Sequence, residues 1–176
     1  MIMEKVQVSQ DVLYEYMLAH GMKMTPLAEM IGRAPEVVMS CFKHHNDWHG
    51  RPRKFNAEHI ALINEALPKI AEDLRGMLIT FGSDKVYRNQ RGNEYDPACV
   101  DQIKRLGKYM TITDLVARVL GWSKGKKSAV LVQPSNKGYG TVSRADVQAI
   151  NNELLSVAGV LGSYELVIDA DKAPAE

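Results

Sequence analysis

The sequence has few of the features that mark secreted or membrane proteins. Only two of its 176 residues are cysteine, Cys41 and Cys99, and they lie far apart with no Cys-x-x-Cys motif. This spacing argues against a disulfide scaffold and predicts two reduced thiols. No apolar run approaches the roughly 20 residues that cross a bilayer, and the residues at Met1–Glu4 lack the character of a signal peptide. We therefore expect a cytoplasmic protein with no membrane partner.

The chain also has almost no net charge, with 22 basic and 21 acidic residues and a formal charge of +1. A balanced total can hide an uneven distribution along the chain. Residues 104–144 hold nine basic side chains and one acidic side chain, Asp114, whereas Lys172 is the one basic residue after Arg144. The sequence therefore predicts a basic surface in its second half and an acidic tail over residues 169–176.

Catalytic motifs are missing as well. The sequence has no Walker loop, dinucleotide fingerprint or nucleophile elbow. Cys41, His44, His45 and His49 are residue types that bind metals, but their spacing matches no standard zinc site. We expect no enzyme activity, no cofactor and no metal.

An internal repeat is the main signal that the sequence does contain. Ile63-Asn64-Glu65-Ala66-Leu67 matches Ile150-Asn151-Asn152-Glu153-Leu154 at an offset of 87 positions. Similar residues recur at the same offset: Phe55 and Val142, Asn56 and Ser143, Ile60 and Val147, Ile70 and Val157, Leu74 and Leu161, and Ile79 and Leu166. The agreement predicts a duplicated unit.

The first copy is predicted to hold four helices. Ser9 is a cap for the first, and Gly32 ends a short second helix that begins near Thr25. Pro35 precedes a third helix over residues 36–44, which completes a helix-turn-helix outline. Asn56 is expected to cap a long fourth helix, and Pro68 to kink or divide that helix.

The second copy repeats this order from Asp96-Pro97 onward. Gly121 makes the turn, Ser123 caps a helix predicted over residues 124–132, and Ser143 caps the last helix with Asp146 at the capping-box position. We predict an all-α fold of two units, residues 1–81 and 96–168, joined by a linker at residues 82–95.

One segment of the first copy resembles the core of the lambda-repressor-like helix-turn-helix superfamily. It consists of Leu27-Ala28-Glu29-Met30-Ile31-Gly32, followed by Pro35 and Val38. The segments 55–63 and 142–150 are similar to the segment that follows the recognition helix in lac-repressor-type domains. The resemblance implies that the second short helix of each unit lies in the major groove and that nearby loops hold phosphates.

The resemblance also implies a set of DNA-contacting residues. In the first copy these are Ala34, Pro35, Glu36, Met39, Ser40 and Lys43, and in the second copy Ser123, Lys124, Lys126, Lys127 and Ser128.

Two loops add candidates. The loop over residues 43–54 carries Arg51, Arg53 and Lys54 for phosphate contacts, and its Trp48 is expected either to stack or pack at the interface or to plug the domain core. The loop over residues 134–141 is predicted to form a wing-like turn, and Lys137 in it is a further DNA-contact candidate.

These observations predict a transcriptional regulator, cellular or phage-type, that binds double-stranded DNA in a sequence-specific or structure-directed way. Its two units either engage DNA in tandem, or the first associates into a homodimer or higher homo-oligomer while the second binds. The alternative is a phage or cellular assembly or packaging adaptor that keeps the helix-turn-helix scaffold for protein–protein contacts.

Overall fold

The structure, a computed structural model, describes residues 4–82, 85–132 and 141–168. The helices are α1 (Gln10–Ala19), α2 (Thr25–Ile31), α3 (Pro35–Phe42), α4 (Ala57–Arg75), α5 (Ala98–Arg105), α6 (Ile112–Leu120), α7 (Lys124–Lys127) and α8 (Arg144–Ser163). The strands are β1 (Val6–Val8), β2 (Tyr87–Arg88), β3 (Glu94–Tyr95) and β4 (Tyr164–Leu166). The fold is mostly helical, as predicted, but the prediction of a purely all-α chain is wrong because backbone pairing joins these short segments in two small sheets.

The chain forms two compact units that are not continuous in sequence. Unit 1 comprises Met1–Asp73 and Ala158–Glu176, and unit 2 comprises Leu74–Val157. The last two residues of α4 therefore belong to unit 2, and α8 contributes its last six residues to unit 1. The predicted division into two units, residues 1–81 and 96–168, stays a prediction, and the predicted acidic tail at 169–176 lies outside the described residues.

Unit 1 is built around α1 to α4. The Ser9 hydroxyl accepts a hydrogen bond from the Val12 amide at the start of α1, and the Asn56 side chain accepts one from the His59 amide at the start of α4, so both predicted caps are confirmed. The core is formed by apolar side chains at helical spacing: Leu13, Met17, Leu27, Ile31, Val38, Phe42, Ile63, Leu67 and Ile70.

The helix α4 continues without interruption through Pro68. Of the two predicted alternatives, a kink or a division of the helix, the division is therefore wrong. Proline has no N–H to donate, which leaves the carbonyl four residues earlier, at Asn64, without its usual partner inside the helix. Burial of one face of the helix outweighs this loss, since Ile63, Leu67 and Leu74 are fully buried.

A parallel pair of short strands completes unit 1. β1 pairs with β4 in the register Val6 to Tyr164 and Val8 to Leu166. The side-chain amide of Asn64 binds both the N–H and the carbonyl of Leu166, at 2.7 and 2.9 Å. The strand β4, although remote from β1 in the sequence, is thus part of unit 1.

Unit 2 contains α5 to α7 and most of α8. A 3₁₀ turn over Leu106–Lys108 follows α5, and α7 continues into a π-helical turn over Ser128–Val132. At the start of α8, Ser143 and Asp146 exchange side-chain-to-backbone hydrogen bonds of 3.0 and 3.1 Å, which confirms the predicted capping box.

The predicted linker at residues 82–95 contains a β-hairpin. β2 pairs antiparallel with β3, and the Asn89 Oδ1 atom accepts hydrogen bonds from the amides of Arg91 and Asn93, both at 2.9 Å. Gly92 closes the turn with a φ of 79°, a backbone conformation that glycine adopts without strain. The polar residues of the predicted linker thus include those of a tight turn.

Candidate nucleic-acid interface

Helices α6 and α7 of unit 2 are consecutive in the chain and are joined by a short turn. Gly121 ends α6 in the left-handed conformation, with a φ of 68°, and the Trp122 amide donates to the Val116 carbonyl at 3.1 Å. Trp122 is buried. Its ring fixes the turn to the core of unit 2 and thereby fixes where α7 begins.

The start of α7 presents most of the basic candidates of the second copy. The Ser123 hydroxyl accepts a hydrogen bond from the Lys126 amide at 3.1 Å, as a helix cap does. Lys124 and Lys126 are exposed, and the Lys126 ammonium lies 5.1 Å from the centre of the Trp122 ring. Lys127 is half-buried and donates to the Thr113 hydroxyl at 2.6 Å, which holds its charge against α6.

The α-helical part of α7 is shorter than predicted. It ends at Lys127, and the exposed Ser128 opens the π-helical turn in which Val130 and Leu131 are buried. A π-turn adds a residue per turn, so it rotates these two apolar side chains into the core while Lys124 and Lys126 stay outside. Lys137, the remaining candidate of this copy, lies outside the described residues.

A groove of about 490 Å³ lies beside α7 within unit 2. We call it the α7 groove, and it is lined by Gly92, Asn93 and Glu94 of the hairpin, by Lys126, and by Thr141, Ser143, Arg144, Ala145 and Asp146 at the start of α8. The turn of the β2–β3 hairpin thus lies close to Lys126 of α7 and to the start of α8.

Two basic side chains, Lys126 and Arg144, and two acidic side chains, Glu94 and Asp146, line the α7 groove. Glu94 lies 3.2 Å from Arg88 and 3.6 Å from Arg144, so one carboxylate is shared by two guanidinium groups. Arg144 also lies 4.5 Å from the centre of the Phe81 ring. Unit 2 as a whole carries 13 basic and 7 acidic residues, a formal charge of +6, whereas unit 1 carries 9 and 14, a formal charge of −5.

Arg118 ties α6 to α8. Its guanidinium lies 2.8 Å from Glu153 on α8 and 3.3 Å from Asp114 one turn earlier on α6. Burial alone lowers the pKa of Arg118, but the hydrogen bond to Glu153, its charge and the contribution of Asp114 outweigh this effect and raise the pKa. The ion pair between Arg118 and Glu153 joins α6 to α8.

The candidates on α3 of unit 1 form a different surface. Glu36 is exposed in the first turn, whereas Met39 and Ser40 are half-buried, and the Tyr14 hydroxyl lies 3.6 Å from the Met39 sulfur. Lys43 is exposed just after the helix, which ends at Phe42 rather than at the predicted residue 44. The surface offers a carboxylate and a thioether where a DNA-reading helix has polar or basic groups.

The loop over residues 43–54 projects from unit 1. Arg51 and Lys54 are exposed, Arg53 is half-buried, and Trp48 is 85% exposed. The alternative in which Trp48 plugs the domain core is therefore wrong. Among the described residues, no group of three or more histidine, cysteine or acidic side chains is placed to hold a metal ion.

Both cysteines are buried free thiols. Burial raises the pKa of Cys41, although Arg53 and Arg33 act in the opposite direction. Burial likewise raises the pKa of Cys99 to about 11, and the Asp96 carboxylate adds to the rise by its charge and by hydrogen bonding. Thiols of this kind are poor nucleophiles at neutral pH.

Sequence reasoning missed the contribution of the hairpin and of Arg144 to this surface. Arg144 stands at the first position of α8, and Arg88 and Arg91 belong to the hairpin that was predicted as a linker. The signal was present in the turn sequence, because Asn89 and Gly92 stand between two short segments that each contain a tyrosine.

No helix in the described parts of the chain has the length and apolar character needed to cross a membrane. Comparisons with protein-family models, with curated proteins and with solved structures found no match to this chain.

Proposed function

We propose that the protein is a DNA-binding regulator that binds double-stranded DNA through unit 2. The observation that carries the proposal is the convergence of α7, the β2–β3 hairpin and the start of α8 on the α7 groove, with Lys126 and Arg144 on its walls. In this arrangement α7 lies in the major groove, and the hairpin and Arg144 follow the phosphate backbone.

The charges support this assignment. Lys124 and Lys126 are exposed and form no ion pair with the described residues, so their charges are available to phosphates or to guanine edges. The formal charge of +6 on unit 2 attracts a polyanion, and the −5 of unit 1 accounts for the near-neutral total.

The test is a fluorescence-anisotropy titration of the full chain with duplex DNA at two salt concentrations. Replacing Lys124 and Lys126 by alanine is expected to weaken binding and to reduce the slope of log affinity against log salt by about one for each phosphate that is no longer neutralised. Lys104→Ala is the matched control, because Lys104 is an exposed lysine of unit 2 on α5. An equally large weakening in the control and in the α7 variants would contradict the proposal.

We further infer that the two halves are duplicated, lambda-repressor-like units. The support is that residues 87 positions apart share their environment: Ile63 and Ile150, Leu67 and Leu154, Ile70 and Val157, Leu74 and Leu161, and Ile79 and Leu166 are all buried. The turns agree as well, since Gly32 and Gly121 both end the second helix of their copy, with φ values of 69° and 68°.

Self-association through unit 1 is the second candidate function, in line with the assembly-adaptor alternative. The observation behind it is the surface of α3, which carries Glu36 and the half-buried Met39, whereas the surface of α7 carries exposed lysines. A carboxylate at this position repels phosphate but is compatible with a protein partner. Light scattering of the full chain and of Met39→Arg tests it, because a dimer or larger oligomer through α3 is expected to dissociate in the variant.

A further inference from the structure

Trp48 is the most exposed of the large hydrophobic side chains in the described residues, at 85%. One side of its indole lies against His49, with ring centroids 3.4 Å apart and an angle of 34° between the planes. The exposure leaves most of the ring surface available to a ligand. An aromatic face of this size is suited to stack on another planar ring.

The turn that carries Trp48 is closed by a network of backbone contacts. The Asp47 Oδ1 atom accepts hydrogen bonds from the amides of His49 and Arg51, both at 2.9 Å, and the Asp47 amide donates to the Arg51 carbonyl at 2.7 Å. Gly50 allows the turn with a φ of 76°. Because the turn is formed before any ligand arrives, little conformational entropy is lost when the ring binds.

The same turn occurs in unit 2, at the tip of the β2–β3 hairpin. There the Asn89 Oδ1 atom accepts from the amides two and four residues later, and Gly92 takes the place of Gly50. Each unit therefore presents one turn of this construction, and both turns carry arginine. The turn of unit 1 differs in having tryptophan directly after the acceptor residue.

The charges next to Trp48 favour a polyanion. Residues 43–54 hold Lys43, Arg51, Arg53 and Lys54 against the single carboxylate of Asp47, which is occupied by the turn itself. No other large hydrophobic side chain of this loop is exposed. A membrane-binding loop inserts several apolar residues together, whereas one ring flanked by cations matches a single base with its neighbouring phosphates.

We propose that Trp48 stacks on an unpaired or unstacked base of DNA, with Arg51 and Lys54 on the adjoining phosphates. This inference rests on the proposed DNA-binding function and adds a second site, in unit 1, that selects distorted DNA. A regular duplex offers no free base face, so unit 2 alone binds it. A duplex with an extrahelical base engages both sites of the chain.

The test uses the full chain and two DNA hairpins that differ only by one unpaired adenine in the stem. In both, a hexaethylene glycol linker replaces the nucleotide loop, so the regular hairpin contains no unpaired base. We expect the hairpin with the unpaired adenine to bind at least about fivefold more tightly than the regular hairpin, because one base stacked on an aromatic ring contributes an effect of this size. We also expect it to quench the fluorescence emission of Trp48. The Trp48 signal is obtained as the difference between the unchanged protein and Trp48→Phe, since the other tryptophan, Trp122, is buried.

Trp48→Ala is expected to abolish the preference for the unpaired adenine and to leave the affinity for the regular hairpin unchanged. Leu18→Ala is the matched control, because Leu18 is a 63% exposed apolar residue of unit 1 that belongs to α1 rather than to this loop. The control is expected to keep the preference.

Three outcomes overturn the inference in distinguishable ways. Salt-dependent binding of both hairpins with equal affinity and no quenching shows that Trp48 does not stack, while the proposed function of unit 2 stands. Absence of binding to either hairpin contradicts both proposals. Quenching by vesicles of phosphatidylglycerol but not by DNA assigns the loop to an anionic membrane surface instead.

Discussion

Asn64 binds the backbone of Leu166 with both groups of its side-chain amide. Its Oδ1 atom accepts from the Leu166 N–H at 2.7 Å, and its Nδ2 atom donates to the Leu166 carbonyl at 2.9 Å. Asn151 binds Ile79 in the same way, at 2.8 Å for both bonds. The two asparagines are 87 positions apart in the sequence, and so are the two residues that they bind. Each long helix thus carries an asparagine that fixes the segment following the other long helix.

Asn64→Ala and Asn151→Ala are each expected to lower the free energy of unfolding by about 2 to 4 kcal/mol, because each leaves a buried N–H and a buried carbonyl without a partner. Urea unfolding followed by circular dichroism measures the change. Asn152→Ala, at an exposed neighbouring position, is the control and is expected to change stability by less than about 0.5 kcal/mol. Effects no larger than that of the control would show that the bonds do not contribute.

Replacement by alanine is expected to change the free energy of unfolding in opposite directions at Gly121 and Gly125. Gly121 has a φ of 68°, so Gly121→Ala is expected to cost about 1 kcal/mol although no atom lies within 4 Å of the added carbon. At Gly125 the added carbon meets only the Ser123 hydroxyl, at 3.9 Å, so Gly125→Ala is expected to stabilise by about 0.5 to 1 kcal/mol. Thermal unfolding of both variants checks the signs, and a destabilised Gly125→Ala would contradict the helical geometry of α7.

Glu153→Gln is expected to destabilise the protein by about 1 kcal/mol, because it removes the charge that pairs with Arg118 in a partly buried position. The side chains are 30% exposed for Arg118 and 15% for Glu153, so solvent screens the pair only in part. Glu65→Gln removes an exposed charge from α4 and is the control for net charge. Equal stability of the two variants in denaturant titrations would assign no role to the ion pair.

The Cys99 thiol is expected to react slowly with a disulfide reagent at pH 8. Its pKa of about 11 leaves about a hundredfold less thiolate than a thiol with the ordinary value of 9.0. In the unfolded chain Cys99 ionises at lower pH than in the folded protein, so the stability that it contributes is present below pH 9 and declines as the pH rises toward 11. A Cys41→Ala background isolates the signal, and rapid labelling of the folded protein would contradict the burial of this thiol.

Local signals in the sequence predicted the order of the helices and many of their ends. The caps at Ser9, Asn56 and Ser143 and the glycine stops at Gly32 and Gly121 act within one turn of backbone, so nearby residues suffice to specify them. The buried positions of α4 and α8 followed from their helical period for the same reason.

The candidate surface was predicted only in part. The lysines of α7 follow from the helix-turn-helix pattern, but the approach of Arg144 and the β2–β3 hairpin to them depends on how distant segments of unit 2 pack. The sequence also did not decide whether Trp48 is buried or exposed, because an indole in a basic loop can either pack in a core or lie in solvent.

The sequence by itself determined the local elements of this protein: the helices of the described residues with their caps, their apolar faces and the basic second half of the chain. Only the tertiary structure decided which segments complete each unit, since residues 158–168 belong with the first 73 residues and the hairpin with the α7 groove. The physical reason is that hydrogen bonds such as Asn64 to Leu166 join residues about a hundred positions apart, and periodicity and capping carry no information about such pairings.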